Sequence, residues 1–265
     1  MTATAAQRDE RILGLLEGRE LVSVGELAAS VGVSAVTMRK DLDRLSRSAV
    51  IERVRGGARL RTAEEGPLAE RLGHRVGAKR AVARSAADLV GADAVIAIDS
   101  SSTGYYLALE LADRTDLTIV TNSLRVAAQL AERAGPAIVV LGGTVRRTSH
   151  STVGFPAELL RGYGTIDLAF LGVSALSPEQ GLLERSFSEA ETKRAMASAA
   201  ELVIGLFDSS KASGFGQHSV VPAAAVDRLI TDDEFDEADA APWRALGVTV
   251  DRAAQAAPRP AAARR

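Results

Sequence analysis

Residues 24–42 read VGELAASVGVSAVTMRKDL, two short helical segments divided by Val31-Gly32-Val33. Glycine can take the left-handed backbone that a tight interhelical turn needs. Ser34 then stands where an N-cap belongs, its side-chain oxygen able to accept from an otherwise unpaired amide of the next helix. In that helix Met38, Leu42 and Leu45 fall at i, i+4 and i+7, so one stripe is apolar while Arg39, Lys40, Asp43 and Arg44 face elsewhere. An earlier helix over residues 7–17 sets Ile12, Leu13, Leu15 and Leu16 among charges and stops at Gly18. Leu27 and Ala28 lie before Gly32, while Val31, Val33 and Met38 supply the small core that fixes the interhelical angle. Helix, glycine turn and capped third helix make a helix-turn-helix, whose last member enters the major groove of DNA with its N-terminal residues on base edges.

Working outward, residues 49–61, AVIERVRGGARLR, alternate around Ile51 and Val54 and reach Gly56-Gly57, which predicts two short strands forming a wing. The charge distribution agrees. The whole chain sums to −2, yet residues 1–61 sum to +3 and the remainder to −5, with +5 in residues 32–61 alone. That patch suits a polyanion, whereas an ordinary three-helix bundle has no reason to carry a basic third helix and wing. Ser34, Thr37, Arg39 and Lys40 lie where side chains reach bases or flanking phosphates, and Arg39 is assigned to base reading because a bidentate arginine on guanine is the commonest specific contact. Arg44, Arg53 and Arg55, farther along the helix or on the wing, are assigned to phosphate. Asp41 and Asp43 are read as partners of neighbouring arginines.

The remaining chain has the 46% hydrophobic and 25% charged content of an ordinary folded protein across 265 residues, enough for one large domain or two unequal ones. It has no cysteine, which excludes disulfides, thiolate metal sites and cysteine nucleophiles, and a cytoplasmic location is expected. No signal peptide or membrane span is read, since the start is charged and apolar runs such as AVIAI at 94–98 are short. Buried strands are predicted at Ala94–Asp99, Leu117–Thr121, Ala137–Leu141, Ile166–Gly172, Leu202–Phe207 and Asp227–Thr231. Helical segments such as Ala78–Val90, Leu124–Ala134 and Glu189–Ala200 separate them, which predicts a mostly parallel, Rossmann-like sheet covered on both faces. The expected division is a winged helix-turn-helix over 1–61, a linker or connecting helix over 62–75, an α/β sensing domain over 76–251 and a frayed tail over 252–265.

Asp99 ends the first of these strands, and Ser100, Ser101, Ser102, Thr103 and Gly104 lead into the helix Tyr105–Leu111. A helix N-terminus preceded by small hydroxyl residues is an anion site in waiting, although the same residues also suit a turn that merely caps a helix. In an open α/β sheet this loop lies at the carboxyl ends of the strands, where ligands gather.

These motifs, VSAVTMRKDL with the wing Arg55-Gly-Gly-Ala58, resemble the N-terminal domain of the DeoR family of bacterial transcriptional regulators. The likeness continues through Lys79, Asp99-Ser-Ser-Ser-Thr103, Val120-Thr-Asn-Ser123, Leu141-Gly-Gly143, Asp167-Leu-Ala-Phe-Leu-Gly172, Asp208-Ser-Ser-Lys211 and Ile230-Thr-Asp232, in the family's order. The resemblance implies a repressor of carbohydrate or nucleoside catabolism, responsive to a phosphorylated sugar, with a sensor domain folded like a ribose-5-phosphate isomerase. It marks Asp99, Ser100, Ser101, Ser102 and Thr103 as the effector loop, Gly142 and Gly143 as a second wall and Lys211 as a phosphate contact. Asp167, Glu191 and Lys193 rank below them, on the sugar side by resemblance, or else an ordinary strand-end carboxylate and a solvated helix face. One departure stands out. Ser101 occupies the glycine of the family's Asp-x-Gly-Thr-Thr pattern, and its Cβ restricts how closely the backbone approaches an anion.

Two alternatives remain at this point, a sugar-phosphate isomerase carrying a DNA-binding appendage and a DNA-binding protein that has lost its ligand. Against the isomerase, residues 172–187, GVSALSPEQGLLERSF, lack the lysine-glycine motif that the isomerases keep there. His74, His150 and His218 have no metal-ligand spacing and no dinucleotide motif follows the first strand, so neither metal nor cofactor is expected. The expected partners are double-stranded operator DNA, a phosphorylated sugar and further copies of the chain as a dimer or tetramer.

Overall fold

Ser34 caps the third helix as its position predicts, its Oγ accepting from the Thr37 amide at 3.1 Å. The computed structural model describes residues 5–16, 21–47, 51–54, 56–60, 66–155, 157–160 and 165–255. They fall into two units, one within 1–64 together with 213–215 and the other within 65–212 and 216–265. The first contains α1 (Ala5–Leu16), β1 (Val22–Ser23), α2 (Val24–Val31), α3 (Ala35–Arg47), β2 (Ile51–Val54) and β3 (Gly57–Leu60). Gly32 ends α2 in the left-handed conformation, φ 77°, and its amide returns to the Ala28 carbonyl at 2.9 Å. Ile12, Leu16, Leu27, Met38, Leu42 and Ile51 close the core, and the wing is a three-stranded antiparallel sheet in the order β1-β3-β2. Its two-residue first strand carried no periodicity to read. Asp41 is buried and accepts from Arg8 Nε at 2.8 Å and Nη2 at 3.0 Å, which pins α1 to α3.

The second unit begins with α4 (Leu68–Gly73) and α5 (Val76–Ala87), the former inside the stretch expected as a linker or connecting helix. There follow β4 (Val95–Ile98), α6 (Ser102–Glu110), β5 (Thr118–Thr121), α7 (Leu124–Ala131), β6 (Ala137–Val140), a hairpin of β7 (Thr144–Arg146) and β8 (Ser151–Val153), and α8 (Ala157–Leu160). Then come β9 (Ile166–Gly172), β10 (Ala175–Ser177), β11 (Gly181–Glu184), α9 (Phe187–Ala199), β12 (Ala200–Leu206), β13 (His218–Val221), β14 (Arg228–Asp232), α10 (Glu237–Ala245) and β15 (Thr249–Ala253). Seven strands form one parallel sheet in the order β15-β14-β12-β9-β4-β5-β6. Alternate side chains serve opposite faces, as period-2 strands require: Ile96, Ile98, Leu168, Phe170 and Ile204 pack with α5, α6 and α7, while Ala97, Ala169, Leu171 and Val203 pack with α9 and α10.

All six predicted strands are present, but β6, expected as buried, is the edge strand of the sheet and leaves Ala137 and Val140 exposed. The seventh, β15, runs through Arg252 and Ala253, two residues into the segment read as a frayed tail, because Thr231 and Asp232 of β14 pair with them. The antiparallel sheet β10-β11-β13 was likewise not foreseen; its strands are three or four residues long, too short to declare a period. Chain order fills β4, β5, β6 outward on one side and β9, β12, β14, β15 on the other, so the direction of winding reverses between β4 and β9. A crevice opens at the carboxyl ends of strands at such a switch point.

Leu42 is wholly buried in the first unit. Leu42→Ala is expected to destabilise that unit by about 2–5 kcal/mol. Amide exchange across α3 is the readout, since the single tryptophan, Trp243, reports the second unit.

Candidate functional site

A cavity of about 210 Å³ occupies the switch point. Ser100, Ser101, Ser102 and Thr103 enter it from the end of β4, Gly172, Val173 and Ser174 from the end of β9, and Leu206 and Phe207 from β12. Gly66 and Arg71 of the first segment of this unit, Glu184 at the end of β11, Arg185, Glu189 and Lys193 around α9, and Lys211 complete the lining. Ser101 is the N-cap of α6, with extended backbone and an Oγ that accepts from the Gly104 amide at 2.9 Å. The amides of Ser102 and Thr103 lie one and two positions into α6 and have no intrahelical acceptor, so they are available to an anion.

The loop is held by Asp99. Its Oδ1 accepts from the Ser101 amide at 3.0 Å and its Oδ2 from the Gly172 amide at 2.9 Å, which ties the end of β4 to the end of β9. The same Oδ2 lies 3.0 Å from Nζ of Lys193, which also donates to the Gly172 carbonyl at 2.9 Å and to Glu184. Burial alone pushes the Lys193 ammonium towards neutrality, but the surrounding carboxylates of Asp99, Glu184 and Glu189 outweigh it and raise its pKa above the ordinary lysine value. Burial also pushes Glu184 up, and there Lys193 with hydrogen bonds from Ser174 and the Arg185 amide prevail, holding the carboxyl down to about 2.

The glycine departure acquires a structural partner. A Cβ placed on Gly172 would lie 2.1 Å from the Ser101 Cβ and 2.4 Å from its Oγ, so the Ser101 side chain fills the space that Gly172 leaves empty. The serine loop therefore keeps its seat on β9 despite the added side chain, and the cap it makes consumes one amide of α6.

Glu189 forms a second buried centre that sequence reasoning missed. Its Oε1 accepts from Ser149 at 2.7 Å and Ser151 at 2.5 Å, and its Oε2 from Ser100 at 3.2 Å and Asn122 at 3.4 Å. Helical spacing shows only that Glu189 and Lys193, four apart, share a face of α9; packing turns that face inward and leaves Phe187, Glu191, Arg194 and Ser198 along the outer stripe. Glu191 is accordingly exposed and paired with Arg194, outside the cavity. Asp167 also lies elsewhere, at the amino end of β9, where its Oδ2 accepts from the Val95 amide at 2.7 Å; ligand sites form at the opposite ends of strands. Gly142 and Gly143 do not line the cavity. They turn the chain into the β7–β8 hairpin, Gly143 at φ 129° with space for no Cβ, since one would lie 2.2 Å from the Val153 carbonyl oxygen.

Lys211 does reach the cavity, and among the described residues it makes no direct ion pair or side-chain hydrogen bond. Its pKa is lowered, first by burial and further by Lys79, Arg185 and Arg71, with Asp208 opposing. A second cavity of about 220 Å³ adjoins at Arg71, Ser102 and Lys211 and holds Lys79, whose ammonium lies 3.3 Å from Asp208. The site thus has a cationic end against the α6 amides and an end where carboxylates are already committed to internal donors.

In the first unit, Ser34, Arg39 and Lys40 are exposed and Thr37 half-buried on the N-terminal turns of α3. Arg39 and Lys40 have no side-chain partner among the described residues, leaving both cations to an external polyanion. The phosphate assignment of two arginines is qualified by their partners: Arg44 pairs with Asp9 and Asp41, and Arg53 with Asp43, which realises the expected role of both aspartates. Arg55 lies outside the described residues.

A winged helix-turn-helix joined to an α/β unit with a polar cavity at its switch point defines a class, that of DNA-binding regulators with their own ligand domain. The chain belongs to the DeoR family: residues 8–64 match the DeoR-like helix-turn-helix domain and residues 74–233 the DeoR C terminal sensor domain. It is 32% identical over 234 residues to the HTH-type transcriptional regulator GolR of Listeria innocua, covering 88% of this chain and 92% of that one. A putative aga operon transcriptional repressor of Escherichia coli is 31% identical, over 92% and 93% of the two chains. The glycerol-3-phosphate regulon repressor of Escherichia coli is 30% identical, over 85% and 90%. Among solved structures, a ribose-5-phosphate isomerase in complex with phospho-erythronic acid superposes on 50% of this chain with TM-score 0.39 and 20% identity, too loose a match to carry fold or function. The protein is a DNA-binding transcriptional regulator of the helix-turn-helix type.

Gly172→Ala is expected to cost about 1–3 kcal/mol by overpacking against Ser101. Ser101→Gly in the same chain should restore most of it, and equal denaturation midpoints for the single and double variants would refute the packing. The depressed Glu184 pKa contributes stability that is present above its unfolded value near 4.5 and lost as pH falls towards about 2. Glu184→Gln should flatten that acid limb in a pH series of unfolding.

Proposed function

We propose that the protein represses carbohydrate-metabolism genes and that a phosphorylated sugar in the switch-point cavity changes its affinity for operator DNA. The observation that carries this reading is Lys211, a partly buried cation that makes no direct ion pair among the described residues and lines the same cavity as the first residues of α6. Phosphate supplies what both lack, negative charge and acceptor oxygens, and the dipole of α6 adds to the attraction. The sugar hydroxyls then meet the serines of residues 100–102 and Ser174. Relatives named as an aga operon repressor and a glycerol-3-phosphate regulon repressor support carbohydrate genes as the target.

The protein acts without catalysis. Isomerisation needs a poised carboxylate base, and here Glu184 is bound to Lys193 and Ser174, while Glu189 accepts from four donors. No helix among the described residues is long and apolar enough to cross a membrane. The regulator works in the cytoplasm as a dimer or tetramer, which sets recognition helices on repeated half-sites.

The test is anisotropy on DNA upstream of its own gene and neighbours, at fixed salt because phosphate contacts make affinity salt-dependent. One member of a sugar-phosphate panel should shift operator affinity by about 5- to 150-fold. Lys211→Met should keep operator binding and lose that response. Arg39→Ala should abolish discrimination between operator and random DNA; a ligand response unchanged in Lys211→Met, or equal losses on both DNAs in Arg39→Ala, contradicts the assignment concerned.

A further inference from the structure

Val36 is 62% exposed, the most exposed large apolar side chain among the described residues. It sits in the first turn of α3, and Arg39 and Lys40 follow at i+3 and i+4, so the three share one outward face. The core stripe of the helix is complete without it, in Met38, Leu42 and Leu45. A solitary exposed valine is ordinary on a protein surface. This one lies one turn before two cations that have no side-chain partner among the described residues, on the helix that the winged helix-turn-helix presents to DNA.

The groove offers one apolar group to such a residue. Thymine alone carries a C5-methyl on its major-groove edge, and the other bases present hydrogen-bonding atoms there. A β-branched side chain in a helix is held in one dominant rotamer, so Val36 presents its methyls in a fixed direction and loses little freedom on contact. Resting on the operator-binding reading, we propose that Val36 is a specificity-determining residue that packs on the methyl of a thymine beside the base read by Arg39. Arg39 and Lys40 supply the charge that brings the groove to it, and Val36 supplies discrimination that charge cannot.

The experiment enriches binding sequences from a random duplex pool with the full-length protein at fixed salt. Each thymine of the selected half-site is then replaced singly by deoxyuridine, which removes the methyl and keeps every hydrogen-bonding atom. One replacement per half-site should weaken the wild-type protein about fourfold, the worth of burying one methyl-sized group. Val36→Ala, which raises helix propensity and leaves the core intact, should bind the thymine and uracil duplexes equally. The proposal is overturned if no thymine is sensitive, if the selected half-site contains none, or if the same sensitivity persists in Val36→Ala. Failure to enrich any sequence overturns it together with the operator-binding reading, and is told apart by that.

Discussion

One buried ammonium organises the second unit. Lys193 Nζ touches Asp99, Glu184 and the Gly172 carbonyl, so a single group joins the ends of β4, β9 and β11 to α9. Removing such a charge from water costs several kcal/mol, recovered only where geometry and additional hydrogen bonds are good. Here Asp99 and Glu184 supply the opposite charge, and their remaining lone pairs are taken by Ser101, Gly172, Ser174 and Arg185. The arrangement fixes the serine loop before any ligand arrives. It also explains the pairing of Ser101 with Gly172: with the two strand ends clamped together, a side chain on one side requires none on the other.

Around that clamp the cavity is divided by charge. Carboxylates near α9 are spent on internal donors, whereas Lys211 and the first amides of α6 keep their capacity for an anion. The first helix of the unit, α4, takes part as well. Arg71 lines both cavities, and the Leu68 amide donates to the Thr148 carbonyl at 2.9 Å, between the strands of the β7–β8 hairpin. Ser149 and Ser151 of that same segment hold Glu189, whose other oxygen reaches Ser100. Serine loop, hairpin and α4 thus form one connected polar network, the kind of contiguous structure that can register an occupant.

Much of this was legible in the sequence because it depends on local chemistry. Gly32, the Ser34 cap and the Met38-Leu42-Leu45 stripe each announce themselves within a few residues, and so do six strands of four to seven residues, of which only the edge strand β6 is not buried. The serine loop was legible too, as strand end plus helix cap. What stayed hidden depends on tertiary register. Glu189 and Glu191 differ by two positions on one helix, and only the packing face decides that the first is buried and the second solvated. Asp167 and Asp99 are both strand-terminal aspartates, yet they mark opposite ends of a parallel sheet. Of Gly142-Gly143, only Gly143 marks a close backbone approach, and that to Val153 rather than to a ligand, while Gly142 faces open space.

The central claim is that occupancy of the cavity and grip on DNA are thermodynamically linked. Linkage is reciprocal, so operator must alter effector affinity by the same factor by which effector alters operator affinity. The most direct measurement is a calorimetric titration of the responsive sugar phosphate into the free protein and into its saturated operator complex. Two different dissociation constants are expected, their ratio equal to the effector-induced change in operator affinity. A single constant, the same with and without operator, would contradict it.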